Sequence, residues 1–422
     1  MKSLPVLSSD TQLGIQQQLR KLYKRIVEYS GIIPDLRFNN TSYQGLRNYL
    51  DPIHRKCEKV EFGVGSYTHG VGGISSNAFS GGVYSPTQNR IYLVPNGEAD
   101  EANWHYIDCN TGEVITYAHG SSAVNFGYSG GVYSPIQNRI YFIPAAQSDQ
   151  VNWHYVDCNT GDIVEYAHGS GAIGSYAGGV YSPRQNRIYM APNGAADEAN
   201  WHYIDCDTGN VVSYAHGAGT VLNVAYVSAV YSPTQNRIYL VPFAQSDQSY
   251  WHYIDCDTGD VVAYTPNVTC VSGAYSGGVY SPIQNRIYFV PRFQADQSHW
   301  HYIDCNTGDV VAYTPNVTVQ SAGYVSGSYN PTQDRIYFTP FAQASQPQWH
   351  YIDCNTGNVI EYTNNVTCLA NGYLGSVYSP TQNKIYLCPA IQSDQSVWHY
   401  IQDYSDVKVS RSLMSGALFN KL

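Results

Sequence analysis

The sequence predicts an all-β chain, a seven-bladed β-propeller with a small N-terminal α-helical extension, and three observations predict it. The 422 residues contain seven Trp, at Trp104, Trp153, Trp201, Trp251, Trp300, Trp349 and Trp398, spaced 49, 48, 50, 49, 49 and 49 residues apart. Around each Trp the same tile returns, first as YSPTQNRIYLVPNGEADEANWHYIDCNTG over residues 84–112. Each tile breaks into four short runs of strand formers divided by turn residues, with no helical pattern between them.

Within the first tile the strands follow in order. Gly81 to Tyr84 ends the first, and Ser85 to Asn89 is a turn built on Pro and Asn. Arg90 to Val94 is the second, stopped by Pro95, which has no N–H to extend a ladder. A polar loop leads to the third, Trp104 to Asp108; Asn110 to Gly112 then turns the chain into the fourth, Glu113 to Tyr117. Tyr, Ile, Val and Trp dominate, as suits pleated surfaces packed on both faces. A solenoid of such units would leave two ends to cap, whereas seven blades close on themselves and leave no exposed sheet edge. The recurrent Tyr residues (Tyr84, Tyr92, Tyr106 and Tyr117 in the first tile) are expected to pack between blades with each hydroxyl reaching a partner.

Residues 59–410 are expected to form the ring, 1–58 a basic helical extension and 411–422 a tail. In the extension Ile15, Leu19, Leu22, Ile26 and Tyr29 share one helical face, and Arg20, Lys21, Lys24 and Arg25 lie largely off it. A weaker second helix carries Tyr43, Leu46, Leu50 and Ile53. The pair reads as a hairpin packed on the ring or as a docking arm, with nucleic acid or a membrane surface as further contacts for its basic face. Tyr67-Thr68-His69-Gly70 parallels Tyr117-Ala118-His119-Gly120, while the last tile decays after Ile401. Segment 59–67 is therefore expected to supply the outer strand of the last blade, with 406–409 as its rival.

Composition narrows the function classes. Hydrophobic residues make up 43% and charged ones only 13%, far from a disordered chain. The net charge of −10 divides into about +5 over residues 1–59 and −15 over the remainder. An acidic ring repels nucleic acid, so any such contact falls to the basic extension. Six Cys occupy one slot per tile (Cys109, Cys158, Cys206, Cys256, Cys305 and Cys354), and equivalent slots of a ring lie too far apart to bridge. Reduced thiols, no secretory leader and no bilayer-length apolar run imply an intracellular, cytoplasmic setting. Asn267-Val268-Thr269, Asn316-Val317-Thr318 and Asn365-Val366-Thr367 match the glycosylation pattern, but in that setting read as loop chemistry.

Repetition argues against catalysis by any tile residue, because a catalytic group has no reason to appear six times. Arg90 and its equivalents, and Asp108 and its equivalents, are lost together in the last tile as Lys384 and Gln402, which suggests that they pair within a blade as a structural element. The seven Trp are structural. His105, His154, His202, His252, His301, His350 and His399 alternate to the opposite face from Trp and diverge around a ring, so no metal site is expected and no cofactor is implied. The loop before each Trp varies most, yet an acid recurs four residues ahead of it: Asp100, Asp149, Asp197, Asp247, Asp296 and Asp394. These fit either an Asx-type turn or an acidic circle for a basic partner or cations.

The patterns SPxQNRIY and IDxxTGxVxxY resemble the blade consensus of YVTN-like, WD40-like and other seven-bladed propellers. The fuller YSPTQNRIY…WHYIDCNTG resembles repeat proteins of giant DNA viruses of amoebae, of the mimivirus type. That resemblance spans about residues 80–402 and implies an intracellular protein associated with a virion or virus factory. No phosphate loop, nucleophile elbow or zinc-type Cys spacing appears. The expected function is a non-enzymatic scaffold for a protein partner; a multivalent lectin and, behind it, a channel-centred hydrolase are the alternatives.

Overall fold

Each tile folds as one antiparallel four-stranded sheet, ordered as in the sequence. In the computed structural model, which describes residues 62–170 and 173–403, the first sheet is Phe79–Ser85, Arg90–Pro95, Asn103–Asp108 and Val114–Ala118. Five more sheets repeat the order, from Tyr128–Ser134 through Val359–Thr363. Every inner strand lies beside the inner strands of its two neighbours, and the last returns to the first, so seven blades close a ring. The expected helical extension at 1–58 and the tail at 411–422 lie outside the described residues.

The last blade is built from both sides of the ring sequence. Tyr373–Ser379, Lys384–Pro389 and Val397–Asp403 supply three strands, and the fourth is Phe62–Thr68. Segment 406–409 lies outside the described residues. Tyr67 occupies the place that Tyr117 holds in the first blade, with the rings of Tyr386, Trp398 and Tyr400 at 5.7, 6.2 and 6.0 Å. His69 stacks on Trp398 at 4.4 Å, as His119 stacks on Trp104 at 4.0 Å. The turns close in the same way. Thr87 donates its hydroxyl to Asn138 Oδ1 (3.0 Å) and the Cys158 carbonyl (3.2 Å) of the next blade, and Thr381 donates to Asn89 Oδ1 (2.9 Å) and the Cys109 carbonyl (3.3 Å).

The core sits between blades rather than within them. Tyr92, Trp104, Tyr106 and Tyr117 of the first blade pack against Tyr128, Ile140, Phe142, Val156 and Cys158 of the second. The corresponding sets recur, down to the seventh blade against the first, where Tyr386, Trp398 and Tyr67 meet Ile91, Leu93, Ile107 and Cys109. All seven Trp side chains are inaccessible to solvent. The nine described cysteines are buried and unbridged.

The outer-strand Tyr residues depart from expectation. The hydroxyls of Tyr67, Tyr117, Tyr166, Tyr214, Tyr264 and Tyr313 are buried without a hydrogen-bond partner. Desolvation holds each phenol well above its ordinary pKa. Their rings stand edge-on to the second-strand Tyr, 90° between Tyr92 and Tyr117, so the aromatic area is what the site uses. Tyr67→Ala is expected to lower the free energy of unfolding by about 3 kcal/mol or more, because a large buried ring leaves a cavity. Tyr117→Phe removes a hydroxyl that bonds nothing and is expected to be neutral or stabilising by up to about 1 kcal/mol. Urea unfolding measures both; a Tyr67→Ala loss under about 0.5 kcal/mol would exclude the closing role of the first strand.

Candidate functional site

Two families of loops share one face of the ring: those joining second to third strands, and those leading from one blade to the next. Main-chain bonds tie them together, with Phe126 N–H on the Asn96 carbonyl at 2.9 Å and Asn96 N–H on the Ala78 carbonyl at 2.7 Å. Indole N–H groups hold the first family: Trp104 donates to the Ala99 carbonyl at 3.2 Å, four other Trp make the same bond, and Trp349 donates one residue earlier, to the Gln343 carbonyl. A buried Gln fixes the second to the first. Gln147 Oε1 accepts from Val124 N–H (2.9 Å) while its amide donates to the Asn152 carbonyl (2.8 Å), and Gln245, Gln294, Gln343 and Gln392 do the same. The sequence reading missed these Gln because Glu98 and Ala195 interrupt the series.

The six acidic candidates lie on these loops, and all are exposed: Asp100, Asp149, Asp197, Asp247, Asp296 and Asp394. They do not make the Asx turns that were one expectation. Asp247, Asp296 and Asp394 accept from the side chain of the following Gln at 2.7 Å, and Asp197 accepts from Asn223 at 3.3 Å. None forms an ion pair among the described residues. Arg20, Lys21, Lys24 and Arg25 lie outside the described residues.

Arg90 and Asp108 stand opposite each other in register, but they are not an ion pair. The guanidinium lies over Tyr106, 4.3 Å from the ring centroid, and points to the Tyr92 hydroxyl at 3.5 Å. Asp108 instead accepts from the backbone and side chain of Asn110, at 2.8 and 2.9 Å, and so shapes the turn. The last blade explains why joint loss misled: Lys384 without its Asp still sits over Tyr400 at 4.2 Å. The cation's partner is the aromatic ring.

The third-strand His residues are buried, and six of the seven share a hydrogen bond with a Tyr hydroxyl; in the first blade, where Phe79 stands in place of that Tyr, His105 Nδ1 has no hydrogen-bond partner among the described residues. The Tyr176 hydroxyl is hydrogen-bonded to His202 Nδ1 at 2.6 Å, and five other blades repeat the pair, from Tyr128 with His154 to Tyr373 with His399. Desolvation lowers His105, His154, His301, His350 and His399 to about 4, so all are neutral at pH 7. The Asn-Val-Thr triplets also have a conformational reason. Asn267, Asn316 and Asn365 have φ of 53°, 54° and 55°, where earlier blades place Gly120 (65°), Gly169 (72°) and Gly217 (62°).

What distinguishes the loop face is apolar exposure. Of nine large exposed apolar side chains among the described residues, Phe126, Val151, Leu222, Val224, Tyr250, Phe293 and Leu369 lie on it, and only Ile136 and Ile283 lie on the opposite face. Two of them are strained. Phe126 and Val224 have φ of 54° and 57°, in a left-handed position that Asn77, Gly273, Ala322 and Asn371 fill in other blades. Such a backbone is unfavourable for a bulky or β-branched residue. At the ring's centre the same face opens into a cavity of about 390 Å³, walled by Gly and Ser of the inner strands.

These features define a closed seven-bladed β-propeller with one ornamented face. No family model and no curated protein matches the chain. Solved structures do. The chain is similar to the extracellular domain of a one-component system from B. thetaiotaomicron (TM-score 0.55, 8% identity, 81% of this chain and 42% of that one). It is also similar to the WD40 repeats of RRP9 (TM-score 0.54, 6% identity, 80% of this chain and 97% of that one). The chain thus spans less than half of the bacterial extracellular domain. At these identities the likeness is one of fold, and the resemblance to giant-virus repeat proteins finds no support among these neighbours. No helix among the described residues is long and apolar enough to cross a membrane.

The His series sets a pH dependence. Each folded pKa near 4 lies below the ordinary 6.5, so between those values the unfolded chain binds protons that the folded chain refuses. This contribution is complete above pH about 6.5 and is lost as pH falls toward about 4. Melting temperature, followed by circular dichroism from pH 8 to 4, is expected to be flat at first and then to drop steeply. His154→Gln should make that drop shallower.

Proposed function

We propose that the ring is a non-enzymatic interaction scaffold that holds a protein partner on its loop face. One observation carries this reading. Phe126 and Val224 accept an unfavourable left-handed backbone, yet they leave their apolar side chains 55% and 37% exposed. Neither packing nor solubility gains from that combination, whereas a partner's apolar surface would. The six exposed Asp surround this region with negative charge, which would steer a basic partner and speed its encounter. The basic extension at 1–58, with Arg20, Lys21, Lys24 and Arg25, is proposed as a second contact. Nine buried thiols favour a reducing, intracellular setting. A virion or virus-factory location rests on the tile sequence alone.

The test uses the strain itself. Phe126→Asn and Val224→Asn should each stabilise the fold by about 1 kcal/mol in urea unfolding, because Asn tolerates that backbone. The same substitutions in the full chain should weaken capture of the partner, identified by quantitative affinity purification from native cells, by about tenfold or more. Ile136→Asn, on the opposite face, should change neither strongly. Undiminished capture by the Phe126 and Val224 variants, with loss from Ile136→Asn, would overturn the reading.

A further inference from the structure

The cavity at the centre of the ring is nearly featureless, and for that reason one residue stands out. Among its lining residues the only charged side chain is Arg292. It follows the second-strand Pro of the fifth blade, where the other blades carry Asn96, Ala145, Asn193, Phe243, Phe341 and Ala390. Its guanidinium carbon lies 5.3 Å from the ring of Phe243, 5.3 Å from Phe293 and 5.8 Å from Phe341. Phe243 and Phe341 are its counterparts in the two adjoining blades. The cavity wall is therefore cationic at one point, where aromatic rings outside the lining back the cation, and neutral elsewhere.

Among the described residues the guanidinium has aromatic neighbours but no hydrogen-bond acceptor. Its Nε is buried and makes no hydrogen bond, and no carboxylate pairs with it among the described residues. Burial lowers its pKa, with no opposing charge to offset the effect. The tile arginines differ in having an acceptor: Arg90, Arg139, Arg187 and Arg286 stack on Tyr and donate a terminal N–H to a Tyr hydroxyl, although the Nε of Arg286 is likewise buried and unpaired. A half-buried cation with an unpaired Nε, on the wall of a cavity, is a binding group without its ligand.

We propose that the mouth of the central channel binds a carboxylate carried on an apolar body, with Arg292 as its counter-ion. The planar fork of the guanidinium matches a carboxylate, and one cation balances one negative charge. A phosphate or polyanion would bring more charge than Arg292 can neutralise into a ring that is already strongly acidic. Phe243 and Phe341 flank the guanidinium just outside the cavity lining, where an apolar body extending from it would meet them, and a cavity of about 390 Å³ has room for a small one. A free organic acid and the C-terminal carboxylate of a peptide share this chemistry. The site stands independently of the loop-face scaffold, and neither falls with the other.

Calorimetry and saturation-transfer NMR on the full chain would decide it, using hydrocinnamate, its neutral amide, inorganic phosphate, and a tetrapeptide ending in Phe as free acid or as amide. Hydrocinnamate or the free-acid peptide should bind at least about tenfold more tightly than its amide, and phosphate should not compete. The tighter of the two acids identifies the source. Arg292→Gln should reduce acid binding to the level of the amide, and Phe243→Ala should weaken it severalfold with the charge retained. Equal binding of acid and amide by the wild-type chain would overturn the proposal even if Arg292→Gln failed to fold. So would binding that survives in a folded Arg292→Gln, tighter binding of phosphate, or no binding of either acid.

Discussion

The structure depends on one constraint: a blade of this sequence is apolar on both faces, and the two faces are not alike. One presents Tyr and Trp from the second, third and fourth strands, and the other presents Ile, Leu or Phe with a small Cys. Large flat rings on one side and branched aliphatics with a thiol on the other fill space together better than either would with its own kind. No blade can satisfy both faces alone, and no finite stack can satisfy its ends, so the ring must close. Its last interface uses the same residue types as the others, with Tyr67 completing the aromatic face.

Closure also explains why the termini of the ring share a blade. If each sheet used only consecutive strands, the ring would be held shut by side-chain packing alone. With Phe62–Thr68 added to the last three strands, closing the circle also forms a main-chain ladder, and opening it must break that ladder. The polar contacts follow the same cyclic logic, since Thr381 reaches Asn89 as Thr87 reaches Asn138. Turn positions repeat because geometry demands it: Asn89, Asn138 and Asn186 adopt φ near 53° at the first turn, and Asp334 takes the same conformation in the sixth blade.

Spacing and composition made the blades legible, because Trp appears once per tile and every strand carries its own turn signals. The closing strand was legible too, since Tyr67-Thr68-His69 copies a segment whose role the other tiles define. Side-chain partnerships were not. Arg90 and Asp108 are neighbours across a ladder, and sequence cannot tell a register neighbour from an ion pair when a Tyr ring competes for the cation. The loop acids recur because the loop recurs, while Gln147 and its equivalents, which hold that loop, are masked by Glu98 and Ala195. Arg292 was invisible for a related reason. Variation after the second-strand Pro looks like ordinary loop drift until the fold turns that position toward the axis.

Departures from the tile carry information in proportion to what they oppose. Phe126 and Val224 oppose backbone preference, and Arg292 opposes the desolvation of charge. Each such feature costs on the order of 1–3 kcal/mol. A small domain of marginal stability could accommodate few of them. A ring of seven mutually buried interfaces over-determines its loops, so local disadvantages can persist without opening the frame. Uniform interiors therefore do more than hold the protein together. They supply the stability against which a few residues, all on one face and around one axis, can be held where a folding criterion alone would not place them.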